Sequence, residues 1–88
     1  VSVSTLSLED QIRDKTKVFP NPATSVVNIQ SPVQIEEISL MDITGKMVYE
    51  AQPNSMNTII GLDQFPAGIY IVRWVATGNT FVERIQIQ

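Results

Sequence analysis

Cysteine and histidine are both absent from these 88 residues. Their absence removes the thiol nucleophile, the Ser-His-Asp relay and the usual nitrogen and sulfur ligands of zinc. It also means that no disulfide reinforces the core, as one does in many small exported domains. Positive charge is scarce as well: six Lys and Arg stand against nine Asp and Glu, a net charge of −3. Nucleic acid and anionic membrane surfaces both select dense cationic patches, so neither is expected as a partner. No apolar run reaches the roughly 18 residues that a membrane-spanning helix needs, and the N-terminus lacks the charged-then-apolar pattern of a signal peptide. A chain this short hides only about 60–65% of its unfolded surface, which leaves no room for a deep, dry cleft. An enzyme is therefore the weakest reading, and no cofactor or metal is expected.

What is present has the period of strands from Val18 onward. Before it, Val1–Lys17 holds five Ser/Thr and alternating charges, and reads as a linker or mobile lead-in with a transient turn of helix at Leu8–Arg13. Ser7 followed by Asp10 resembles an N-cap, but Leu8 and Ile12 alone make a thin apolar stripe. Val18-Phe19 leads into Pro20-Asn21-Pro22, where two prolines fix φ and remove donors, so the segment is a bend or an edge strand. Ser25–Gln30 puts Val27 and Ile29 on one face. Glu36–Ile43 alternates Ile38, Leu40 and Asp42 against Ser39, Met41 and Ile43, and Thr44-Gly45 turns it into Lys46–Ala51 as a hairpin. Met56–Leu62 forms a further strand, interrupted by Gly61. After the Asp63–Gly68 loop, Ile69–Ala76 is almost continuously apolar and reads as the central, best-buried strand. Thr77-Gly78-Asn79 turns the chain back into Thr80–Ile87, with Phe81, Ile85 and Ile87 inward and Glu83 as the misfit on that face.

About seven short strands at roughly ten-residue spacing predict an all-β fold, a small antiparallel immunoglobulin-like β-sandwich. The same strands could instead close into a small barrel. The turn residues have structural roles of their own. Pro20-Asn21-Pro22 is a rigid bend. Gly45 supplies a positive φ while Asp42 caps backbone N–H groups, Pro66 and Gly68 shape a loop, and Tyr70 packs with its hydroxyl at the rim. Trp74 sits in a strand apolar enough to make it a packing residue. Glu36 and Glu37 are strand neighbours on opposite faces and cannot pair as acid and base. Asp42 and Asp63 lack the ligand spacing of a calcium loop.

The punctuation between strands carries a resemblance. Val18-Phe19-Pro20-Asn21-Pro22-Ala23, then Met41-Asp42-Ile43-Thr44-Gly45-Lys46, then Leu62-Asp63-Gln64-Phe65-Pro66-Ala67-Gly68-Ile69-Tyr70 stand in that order. The chain from Val18 to Gln88 resembles the type A C-terminal sorting domain of cargo for the type IX (Por) secretion system, with its "YPNP" opening, central "D-x-x-G" turn and "L-PAG-Y" loop. It lacks the Ser of the common "D-L-S-x-L-PAG" form. Its tail is Lys-poor, with Arg84 as the cation among the closing residues.

The resemblance implies a passenger label and no catalysis. It divides the chain into residues 1–17, a linker and processing region, and residues 18–88, the sorting domain. Its partners would be cargo domains N-terminal in the same precursor, an outer-membrane shuttle protein and the type IX translocon that recognises the folded label. A sortase-like peptidase would then cut ahead of the domain and join cargo to surface lipopolysaccharide. The location would be periplasmic in transit, then the cell surface or the medium. The implied sorting residues are Pro20, Asn21, Pro22, Asp42, Gly45, Asp63, Pro66, Gly68 and Tyr70. The recognition strand would be Arg84, Ile85, Gln86, Ile87 and Gln88, presented along an open sheet edge where a partner could add a strand. Removing Arg84–Gln88 would then abolish export, although Ile85 and Ile87 would also serve to complete the core. The competing readings are a carbohydrate-binding or adhesive sandwich, which needs an exposed aromatic platform, and a structural spacer.

Overall fold

A computed structural model describes residues 8–88 of the chain. Its elements are α1 (Leu8–Lys15), β1 (Lys17–Phe19), β2 (Val26–Ile35), β3 (Glu37–Asp42), β4 (Met47–Ala51), β5 (Ser55–Gly61), β6 (Gly68–Ala76) and β7 (Asn79–Ile87). The strands form two sheets, one of order β1-β2-β5 and one of order β4-β3-β6-β7, in which every ladder is antiparallel. Two facing sheets give the expected sandwich and not a closed barrel.

Side-chain alternation explains the burial. In the three-stranded sheet Val27, Ile29, Ile35 and Ile60 point inward. They meet Ile38, Leu40, Val72, Trp74, Phe81, Ile85 and Ile87 of the four-stranded sheet, and all of these side chains are buried. The indole of Trp74 stacks on the Phe81 ring at 5.7 Å between centroids, which confirms Trp74 as a packing residue. At roughly 1.5–3 kcal/mol for each large apolar side chain taken from water, this layer is the principal source of stability.

Several expectations need correction. β2 continues through Pro32 to Ile35 instead of ending at Gln30, because its ladder with β5 breaks register between Gln30 and Ile35 and a residue without an N–H is tolerated there. β6 is an interior strand of its sheet, but only Tyr70, Val72, Trp74 and Ala76 are buried. Ile69, Ile71, Arg73 and Val75 stay half-exposed on the outer face, so its apolar run does not mean burial on both sides. Glu83 pairs opposite Val72 yet remains exposed, since β7 is the last strand of its sheet and its side chains reach water around the rim.

Within the lead-in, the described residues are ordered as more than a transient turn. Residues from Leu8 to Lys15 form a helix, and Ile12 is 1% exposed within the core cluster. Arg13 lies 5.8 Å from the Phe81 ring centroid, and the Thr16 hydroxyl donates to the Ile12 carbonyl at the helix end. Among the described residues, the inserted Ile12 side chain and these end contacts help to hold a helix too short to persist alone. The N-cap arrangement read at Ser7 lies outside the described residues.

Candidate functional site

The three motifs become three local structures. In the first, the chain leaves the three-stranded sheet after Phe19, bends through Pro20-Asn21-Pro22 with both X-Pro peptides cis, and joins the other sheet at Ala23. Ala23 is fully buried and forms a parallel bridge with Ile87, its N–H donating to the Gln86 carbonyl and its carbonyl accepting from the Gln88 N–H, both at 2.8 Å. Two residues earlier the Asn21 side chain does the same work. Its Nδ2 donates to the Arg84 carbonyl at 3.3 Å and its Oδ1 accepts from the Gln86 N–H at 3.1 Å.

The second motif is the β3–β4 turn. Asp42 Oδ1 accepts from the Thr44 N–H (2.9 Å), the Thr44 hydroxyl (2.6 Å) and the Lys46 N–H (3.0 Å). Gly45 follows at φ +88°, a conformation that favours glycine, and its N–H returns to the Asp42 carbonyl. The Thr44 hydroxyl first, then the Lys46 N–H, hold the Asp42 carboxyl below its ordinary value by binding its charged form.

The third motif is a corner between β5 and β6. The Phe65 N–H donates to the Leu62 carbonyl, closing a turn, while buried Leu62 and half-buried Phe65 pin the loop to the core. The Tyr70 hydroxyl reaches back four residues to the Pro66 carbonyl at 2.7 Å, and its ring lies 6.2 Å from that of Phe65. A tyrosine near the start of this strand, bonded to the backbone just upstream, is the tyrosine corner of immunoglobulin-like sandwiches. Asp63 is exposed and lines a shallow hollow with Gly61 and Gln64.

The expected sites are therefore distributed. Pro20-Asn21-Pro22 and Arg84–Gln88 meet at one place. The Asp42–Gly45 turn and the Leu62–Tyr70 corner belong to the two ends of β3 and β6 that pair Asp42 with Tyr70. Within the terminal segment Ile85 and Ile87 are core residues, whereas Arg84, Gln86 and Gln88 are exposed. The open edge expected of the last strand is not open there. Antiparallel pairing with β6 turns the backbone groups of the even-numbered residues outward, and from the Arg84 carbonyl to the Gln88 N–H they are taken by Asn21 and Ala23. Among the described residues no such cover lies over Thr80 or Val82.

Ala23 was missed in the sequence because a lone alanine carries no period. Asn21 could have been found: between two prolines, a side chain holding both a donor and an acceptor is free to stand in for a peptide group. As for other chemistry, no cluster of metal-binding side chains occurs among the described residues. Trp74, Tyr70 and Phe81 are buried and Tyr49 and Phe65 half-buried, which leaves Phe19 as the exposed ring among the described residues.

Comparison with known proteins agrees with this architecture. The chain superposes on part of PorZ, a bacterial surface component of the type IX secretion system of Porphyromonas gingivalis, with a TM-score of 0.75 and 17% identity over 93% of the chain. It spans only 12% of the PorZ chain. A Bacteroides vulgatus protein with an immunoglobulin-like β-sandwich fold matches with a TM-score of 0.69 and 20% identity, covering 83% of this chain and 84% of that one. At such identities the likeness establishes the fold. No curated protein matches the chain. Residues 17–88 match the family model described as the secretion system C-terminal sorting domain. The chain therefore belongs to the C-terminal sorting domain family of type IX secretion.

Proposed function

We propose that this domain is read in its folded state by an outer-membrane shuttle protein and the type IX translocon, and is then removed by a sortase-like peptidase that can join cargo to surface lipopolysaccharide. Family membership already implies work with the secretion machinery, cargo carried in the same precursor, and delivery to the cell surface or the medium. The family itself is not one of enzymes. The observation that supports folded recognition is the union of the first motif with the terminal strand, sequence ends that come together only once the sandwich has formed. Processing belongs in Val1–Lys17, which ends at the first residue of β1, and a peptidase acting within Leu8–Lys15 would need α1 to undock first. A sugar-binding role draws little support, since Trp74, Tyr70 and Phe81 are buried and Phe19 is the one ring that stands exposed among the described residues.

The test fuses residues 1–88 to a periplasmic reporter in cells with a working type IX translocon and in matched cells without it. Reporter outside the first cells alone is the expected result. Retention in both would remove the sorting role.

A further inference from the structure

Resting on the sorting role proposed above, we propose that Asn21 is a positioning residue for the C-terminal strand. The surface recognised in export is then composite, built from Pro20–Ala23 and Arg84–Gln88 together. The last residues of a domain fray unless something ties them down. Here β6 holds one side of β7, and residues 21–23 hold the other through four hydrogen bonds: two from the Asn21 amide and two from the Ala23 backbone. Prolines on both sides of Asn21 fix the backbone from which the amide projects. That amide meets β7 as a peptide group would, donating to Arg84 and accepting at Gln86, so a single side chain extends the ladder by one step.

This arrangement decides how the strand can be read. Its outward backbone groups from the Arg84 carbonyl to the Gln88 N–H are occupied, so a partner reads this stretch through its side chains and not by adding a strand to it. Ile85 and Ile87 face the core, which leaves Arg84, Gln86 and Gln88 as the legible positions. Gln88 lies beyond the last strand residue, and its N–H is held by Ala23. Ordering these side chains in advance lowers the entropy lost when a partner binds them.

The experiment compares Asn21→Ala and Asn21→Asp with the native 88-residue chain, in amide hydrogen exchange and in the reporter fusion. In Asn21→Ala, exchange at Gln86 and Gln88 should quicken about tenfold, the worth of roughly one hydrogen bond. Exchange at Val72 and Trp74 should stay unchanged, and export should fall several-fold. Asn21→Asp keeps the acceptor and loses the donor, and should lie between the two. Ile60→Val, a core change remote from the clamp, serves as a control of mild destabilisation and should export normally. Unchanged exchange in Asn21→Ala would overturn the clamp. Quickened exchange with native or improved export would overturn the composite signal. Absence of export from the native fusion would instead remove the sorting role itself, a result distinguishable from both.

Discussion

Tyr70 and Asp42 each satisfy short-range backbone groups that a turn leaves over, and each can be tested by removing one function of one side chain. In Tyr70→Phe the ring still packs beside Phe65, and only the bond to the Pro66 carbonyl goes. Because Pro66 is exposed and water can replace the donor, the expected loss is about 1 kcal/mol, seen in urea unfolding. A loss several times larger would mean that the corner collapses without its hydroxyl. Asp42 acts through charge. Its folded-state pKa lies below the ordinary value of 3.8, so its contribution is complete above that value and disappears as pH falls through the folded one. The gap in melting temperature between the native chain and Asp42→Asn should be widest near neutrality and shrink below about pH 4. A gap that stayed constant with pH would assign the effect to hydrogen-bond geometry alone.

Among the elements, the hairpins were the most legible part of the sequence, since turn chemistry is local. Asp42 and Gly45 announced the β3–β4 turn, and Thr77-Gly78 the reversal between β6 and β7. That second turn sets both central residues at positive φ, +53° for Thr77 and +77° for Gly78, as a two-residue hairpin of type I′ requires. A β-branched residue is costly there, whereas Asn accepts the left-handed conformation. Thr77→Asn should therefore stabilise the domain by roughly 0.5–1 kcal/mol, and a lower melting temperature would show that the Thr77 hydroxyl bond to the Ala76 carbonyl outweighs the backbone strain. Elements fixed by distant contacts were harder to read. In α1 Ile12 finds a place in the core, and a stripe as thin as Leu8 and Ile12 does not encode that locally. The same holds for Asn21, whose partners lie 63 and 65 residues away. The fold class and the motif positions were thus visible in sequence, but the meeting of the first motif with the last strand was not.

At the scale of the whole molecule, both ends of the described chain are built into one core. Ile12→Ala should cost about 2–4 kcal/mol, because it empties a fully buried site, and little change in urea midpoint would mean that α1 is not seated there in solution. Deleting Arg84–Gln88 removes Ile85 and Ile87 along with the exposed side chains. A failure of that truncation to be exported would not by itself identify a recognition strand, and the outward side chains must be changed singly. The parallel bridge of Ala23 with Ile87 has a mechanical consequence. A pull applied to residues 21–23 from their N-terminal side and to β7 from its C-terminal side would draw the two segments in opposite directions along the strand. The bonds between them lie across that pull and would be loaded in shear, all at once, so the junction resists being drawn open from its two ends.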